Sequence, residues 1–158
     1  MRKLALLLSL MVLGLAACAE RAPEGPVGLA NPFREHETLA EATETMGLPM
    51  EVPAVPEGWE ETAIRSMAGE HPLIEVLWHN GDARLTLRKG AGDTDVSGDY
   101  NAYDETRTAD WKPNGVRLKG RDGLLFHADW TDGGFAFAIV SDEGLTEEAM
   151  RALVTGLN

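Results

Sequence analysis

The sequence predicts an α+β domain: an antiparallel sheet of six or seven strands with an N-terminal and a C-terminal helix packed on one face. Three observations carry this expectation. Apolar and polar residues alternate with a period of two through much of 74–139, as in half-buried strands. Asn-Gly and Asp-Gly dipeptides punctuate these runs, and they favour the tight turns of antiparallel hairpins. No helix-length segment separates the runs, so parallel pairing through crossover connections is not expected.

The first helix is predicted over Leu39–Met46. Thr38 and Glu41 stand three apart as a capping box, and Leu39, Ala42 and Met46 form one apolar stripe. Gly47 then supplies a natural stop, because only glycine enters the left-handed region freely. The strand signals begin with Ile74, Val76 and Trp78, and continue with Ala83, Leu85 and Leu87. Val116 and Leu118 follow, then Leu124, Phe126, Ala128 and Trp130, then Phe135, Phe137 and Ile139. The turn dipeptides are Asn80-Gly81, Asn114-Gly115, Asp122-Gly123 and Asp132-Gly133. The last helix is predicted from Glu147 to about Leu157, capped by Thr146 and stapled by Leu145 against Met150. Glu147 and Glu148 complement its N-terminal dipole, and Met150, Leu153, Val154 and Leu157 give it an apolar face. The expected result is an antiparallel meander. One face lies under the helices, and the other carries Glu, Arg, Lys, His and Asp into water.

With 158 residues, 44% hydrophobic and 25% charged, the chain suits a single globular domain. Its formal net charge of -12 argues against a nucleic-acid partner, which requires a basic footprint. A single cysteine excludes an internal disulfide and any multi-cysteine metal site.

The N-terminus predicts an address. Met1-Arg2-Lys3 is basic, and the 14 residues Leu4–Ala17 carry no charge. That run is short of the roughly 20 apolar residues a spanning helix needs, and it has the form of a secretory signal. Leu15-Ala16-Ala17-Cys18 resembles the bacterial lipobox. The resemblance implies cleavage before Cys18 and acylation of that residue with fatty acid such as palmitate, which anchors the chain to a membrane. The residue after the cysteine is Ala19, not Asp, which in a host with two membranes resembles lipoproteins released to the outer one. The organisation expected is a signal peptide over 1–17, a flexible tether over 18–30, rich in proline and glycine, and one domain over 31–158. The mature chain has 141 residues, with 12 basic side chains against 26 acidic, a net of −14. Several acyl chains, each worth about 0.8 kcal/mol per buried methylene, hold it without any spanning helix.

A set of short motifs occurs in order through the domain. It includes Asn31-Pro32, Val52-Pro53, Gly58-Trp59, Ile74-Glu75-Val76, the segment Asp95-Val96-Ser97-Gly98-Asp99-Tyr100-Asn101, Leu118-Lys119-Gly120, Trp130-Thr131-Asp132-Gly133 and Gly144-Leu145. The set resembles the stand-alone secreted members of a bacterial domain-of-unknown-function family. Related domains occur on the outer side of membrane-bound anti-sigma-factor-like proteins. The resemblance implies an extracytoplasmic domain and no particular activity.

Catalytic signals are sparse. No nucleophile elbow is present, and none of His36, His71, His79 and His127 forms a metal-binding pair in sequence. His79 and His127 are placed on the polar sheet face, as a weak acid–base or metal candidate or as two solvated histidines. One segment does fit a chemistry. Asp93, Asp95, Ser97, Asp99 and Asp104 take positions one, three, five, seven and twelve of a calcium-loop spacing, with Gly98 at the sharp turn. The competing reading is a polar turn segment in which Tyr100 and Tyr103 pack back on the sheet. The functional expectation is a non-catalytic, lipid-anchored envelope domain that binds a protein or peptide partner. Calcium binding and carriage of an apolar ligand between sheet and helices are the alternatives, and a hydrolase is the weakest.

Overall fold

The computed structural model describes residues 31–158, which form one compact unit. The expected signal peptide, lipid-attachment residue Cys18 and tether lie outside the described residues. The elements, in chain order, are β1 (Arg34–His36), α1 (Leu39–Met46), β2 (Glu60–Met67), β3 (Leu73–Asn80), β4 (Ala83–Ala91), β5 (Glu105–Ala109), β6 (Val116–Arg121), β7 (Leu124–Asp132), β8 (Phe135–Leu145) and α2 (Glu147–Gly156). The class is α+β as expected.

All pairings are antiparallel, and the strands lie in the order β1-β2-β3-β4-β8-β7-β6-β5. There are eight strands, not six or seven. Those that escape the alternation pattern lie at or beside the sheet edges: β5 exposes four of its five residues, and β2 exposes its first three. An edge strand with so little to bury has no need of alternating apolar residues.

Both helices cover the same face. Ala42 of α1 and Met150, Leu153 and Val154 of α2 share one core with Ile74, Val76, Leu85, Leu87, Leu118 and Ile139. Each such fully buried aliphatic side chain contributes about 1.5–3 kcal/mol. The helix ends follow the sequence. Thr38 Oγ1 accepts from the Glu41 amide at 3.1 Å, Gly47 turns left-handed at φ 63°, and Thr146 Oγ1 accepts from the Ala149 amide at 3.2 Å. Glu41 Oε2 accepts from the Glu37 amide at 3.2 Å, one residue before the position a capping box prescribes.

The sheet is not one meander. Strand β4 ends in its middle and β5 lies at its far edge, so residues 92–104 must cross β8, β7 and β6. They do so on the face away from the helices, as a strap. Val96 of the strap joins a second apolar cluster there with Leu73, Ala136 and Ala138. The polar face is therefore partly covered, where the pattern predicted a face in water.

Two further departures reset individual side chains. A bulge in β7 makes Phe126 the extra residue opposite the Lys119–Gly120 step of β6. Leu125 joins the main core in its place, and Phe126 packs near Tyr103 of the strap, ring centroids 6.0 Å apart. Lys89 occupies a position in β4 where the alternation places an apolar residue, and it is only 4% exposed. Its Nζ donates to the Pro49 carbonyl at 2.5 Å and lies over the rings of Phe135 and Phe137. Burial lowers its pKa below that of an ordinary lysine, although the charges of Asp132 and Glu51 oppose the shift.

Candidate functional site

The register places one row of side chains across the strap face. Arg65 pairs with Glu75, Glu75 with Arg88, Arg88 with Ala138, Ala138 with Asp129, Asp129 with Arg117, and Arg117 with Thr108. Charge alternates along this row, with a gap at Ala138 where no side chain reaches up. The strap fills the gap.

On one side of the gap, Glu75 is 1% exposed and clamped between two guanidiniums. Its Oε1 accepts from Arg65 Nε at 2.9 Å and also from Arg65 Nη2, and its Oε2 accepts from Arg88 Nε at 2.6 Å. Arg88 then uses Nη1 to donate to the Val96 carbonyl at 3.0 Å and the Ser97 carbonyl at 2.7 Å. A buried carboxylate and two strap carbonyls are thus served by one planar fork, a geometry that lysine cannot supply.

On the other side, His127 is fully buried between two carboxylates. Its Nδ1 lies 2.7 Å from Asp99 Oδ2, and its Nε2 lies 2.5 Å from Asp129 Oδ1. Ionised carboxylates only accept, so a ring nitrogen that carries a proton donates it to the carboxylate it faces. Arg117 Nε donates to Asp129 Oδ1 at 2.8 Å, and Nη2 donates to Asp95 Oδ2 at 3.2 Å, closing the chain back onto the strap. Burial alone would raise the three carboxyls. For Asp99 it is outweighed by donation from the Asn101 amide, Tyr103 and His127, and for Asp129 by donation from His127 and Arg117. Donation from Ser97, with the charges of His127 and Arg117, does the same for Asp95, so all three lie below the usual aspartate value. Arg117 is raised by its bond to Asp129 against the cost of burial. Tyr103 donates its hydroxyl to Asp99 Oδ2 at 2.8 Å, and burial together with that carboxylate pushes its pKa up to about 12.

The strap's internal order follows from its alternate oxygen-bearing residues. Asp95 Oδ1 accepts from the Ser97 amide at 2.8 Å, Ser97 Oγ from the Asp99 amide at 3.2 Å, and Asp99 Oδ1 from the Asn101 amide at 3.1 Å. Three successive side chains each satisfy the amide two residues on, in Asx- and ST-turn fashion. This explains the spacing that suggested calcium ligands. Asp95 and Asp99 direct their oxygens to backbone amides, Arg117, His127, Asn101 and Tyr103, not to a common centre. Asp93 and Asp104 are exposed. Among the described residues, no group of three or more His, Cys, Asp or Glu side chains is gathered to hold a metal. The calcium-loop expectation for Asp93, Asp95, Ser97, Asp99 and Asp104 therefore finds no assembled shell.

The histidine expectation changes too. His127 is not solvated, and His79 bonds Thr62 Oγ1 through Nδ1 at 2.8 Å instead of meeting His127. Of the two tyrosines, Tyr103 packs back as expected, whereas Tyr100 is 98% exposed. Trp130 and Phe137 stack at 5.1 Å within the core, where an apolar ligand would have to lie. Pattern reading missed Glu75, Arg88 and Arg117. The one available signal was Glu75, a lone acid within the otherwise apolar run Leu73–Trp78.

No helix among the described residues is long and apolar enough to cross a membrane. Comparison of the chain with protein-family models, characterised proteins and solved structures finds no match.

Proposed function

We propose that the protein is a lipid-anchored, extracytoplasmic binding domain without catalytic activity, held by acylated Cys18 in the cell or outer membrane and recognising a protein or peptide partner. The observation that carries the binding role is Tyr100. It is the exposed large hydrophobic residue of the domain, 98% accessible, at the outer turn of the strap. Its neighbours are not free to move: Asp99 is bound to His127 and Tyr103, and Asn101 is bound to Asp99. A rigidly presented tyrosine is a favoured anchor at protein interfaces, because it adds large contact area at low entropic cost.

The absence of catalysis is supported by what the ionisable groups do. His127, Asp99, Asp129, Glu75 and Arg88 bond to one another beneath the strap, and the imidazole meets carboxylate on both sides. The resemblance of the Asp95–Asn101 segment to secreted family members fits an extracytoplasmic placement. The acidic composition fits a partner that is not nucleic acid.

Two measurements test the reading. Metabolic labelling with a fatty acid should mark the wild type and leave Cys18→Ala unlabelled; equal label in both ends the anchoring claim. A photo-crosslinking residue at position 100 should capture a discrete partner in intact cells, and the same residue at exposed Glu44 on α1 should not. Equal capture at both positions would remove Tyr100 from the interface.

A further inference from the structure

We propose that the β5 edge of the sheet is a self-association surface, to which a second copy of this chain adds its own β5, antiparallel and centred on Thr106. The inference goes beyond the partner-binding reading and uses neither Cys18 nor Tyr100.

The two edges of the sheet are unlike. Strand β1 is three residues long, and α1 starts close behind it. Strand β5 is five residues long, exposes four of them, and is hydrogen-bonded to β6 alone. Its outer amides and carbonyls meet no further backbone group among the described residues. Natural edges are blunted by proline, by a bulge or by charge. Strand β5 has no proline, and its register with β6 runs without a shift. Charge is left, as Glu105 and Arg107, and here it selects the partner.

Glu105, Arg107 and Ala109 alternate onto the helix side, and Thr106 and Thr108 onto the strap side. Arg107 Nη2 donates to Glu147 Oε2 of α2 at 2.8 Å, which holds the guanidinium on that side. Its Nε and Nη1, and the Glu105 carboxylate, have no partner among the described residues. Two identical antiparallel strands are related by a two-fold axis, and facing residues must share a face of the sheet. Each allowed register is therefore centred on one residue. Centring on Glu105 sets carboxylate against carboxylate, and centring on Arg107 sets guanidinium against guanidinium. Centring on Thr108 or Ala109 leaves Glu105 beyond the end of the partner strand. Centring on Thr106 places Glu105 opposite the partner's Arg107, Arg107 opposite the partner's Glu105, and the two threonines opposite each other. Opposite charges and paired threonines are favourable cross-strand neighbours, and facing like charges are not.

The mature chain carries −14, which opposes the meeting of any two copies. Physiological salt screens that repulsion beyond about 8 Å, whereas facing side chains lie within about 5.5 Å. The axis stands perpendicular to the joined sheet, so both strap faces lie on the same side of it.

Thiol cross-linking of the full chain reads the register. Cys18→Ser leaves an introduced cysteine as the sole thiol. Thr106→Cys then sets the two thiols on facing residues, about 5 Å apart between Cβ atoms. Thr108→Cys, also exposed and on the same face of the same strand, sets them about 14 Å apart. A short thiol-to-thiol cross-linker should give a covalent dimer from the first and not from the second. Glu105→Arg or Arg107→Glu, added to Thr106→Cys, turns both attractive pairs repulsive and should cut the dimer about tenfold. Both positions are exposed, and the Arg107–Glu147 pair is a surface one, so the fold should survive either change. An equimolar mixture of the two charge variants should cross-link again, because two basic residues of one copy then face two acidic residues of the other. Equal yields at 106 and 108, or no dimer at 106, would overturn the proposal. So would a mixture that gives no more dimer than the variants alone.

Discussion

His127 Nδ1 lies 2.7 Å from Asp99 Oδ2, and this contact ties the strap to the middle of β7. The sheet order leaves a long crossing between β4 and β5, and a crossing with little apolar surface of its own needs specific bonds to lie flat. Val96 supplies the one deeply buried apolar side chain on its underside. Hydrogen bonds from Arg88 to two strap carbonyls, and the contacts of Arg117 and His127 with strap carboxylates, supply the rest.

Removing Asp99 should therefore be costly. Asp99→Ala leaves the buried imidazole facing a single carboxylate and removes the acceptor for Tyr103 and Asn101. Truncating one partner of such a pair costs about 3–5 kcal/mol. Denaturant unfolding should show the loss in the midpoint, and hydrogen exchange should quicken first over 95–101. Asp99→Asn keeps an acceptor oxygen and should cost less. Alanine and asparagine variants of wild-type stability would mean that the strap is held by Val96, Arg88 and Arg117 without Asp99.

Gly98 should be the least replaceable glycine of the strap. It sits at φ 60°, and an added Cβ would run into Arg88 Nη1, the atom that donates to Val96 and Ser97. Gly92 is also left-handed, at φ 86°, but open space surrounds it. Gly92→Ala should cost only the backbone strain, about 1–2 kcal/mol. Gly98→Ala should cost that and the displaced guanidinium, which also releases one side of Glu75. Equal midpoints for the two variants would show that Arg88 moves aside freely.

These contacts mark the limit of what the sequence discloses. Helix α1 was legible because Thr38, Glu41 and Gly47 bond within the segment itself. Strands β3, β4, β7 and β8 were legible because a central strand buries one face and must alternate. Phe126 and Lys89 break that alternation for reasons that lie in other strands: a bulge against β6 and a carbonyl on the chain after α1. Asp95, Ser97 and Asp99 show the difficulty most clearly. Oxygen-bearing side chains at every second residue suit calcium and a series of Asx turns equally well. What decides between them is the positions of Arg117 and His127, some 20 to 30 residues downstream in sequence and adjacent only through the crossing.

Acid should loosen the strap. Asp95, Asp99 and Asp129 are each held below the usual aspartate value of about 3.9. A carboxyl with a lowered folded-state pKa contributes stability that is complete above its unfolded value and is lost as pH falls through the folded one. Stability should thus be level near neutrality and decline below about pH 4. Urea midpoints across that range check this, and the decline should be shallower in Asp99→Asn, which lacks one of the three groups. An identical decline in wild type and variant would remove Asp99 from the linkage.

Calcium should leave the melting temperature of the full chain unchanged. Asp95 and Asp99 already bond internal donors, and a metal would have to displace Arg117 and two backbone amides to gather them. For the same reason Asp95→Ala should destabilise the metal-free protein by about 1 kcal/mol, the worth of a typical hydrogen bond beside a half-exposed ion pair. Relief of repulsion among clustered acids would instead raise stability. A calcium-dependent rise in melting temperature that disappears in Asp95→Ala would show that the strap rearranges around metal.

The Tyr103 phenol gives a spectroscopic reading of the same clamp. The chain has two tyrosines, so Tyr100→Phe leaves Tyr103 as the sole phenol, and the substitution lies at a fully exposed side chain. Burial and the adjacent Asp99 carboxylate disfavour the phenolate, which places its pKa at about 12 against an ordinary value of about 10. A group whose folded pKa is raised contributes stability that is complete below the unfolded value and is lost as pH rises through the folded one. Phenolate absorbance in Tyr100→Phe should accordingly rise late, near pH 12, and in one step with any alkaline unfolding. Adding Asp99→Asn removes the charge beside the hydroxyl and should bring the midpoint down toward the ordinary value, with the fold monitored separately by tryptophan fluorescence. A midpoint near 10 in the folded Tyr100→Phe protein would mean that the hydroxyl is not held on Asp99, and the strap's C-terminal half would then be anchored by His127 alone.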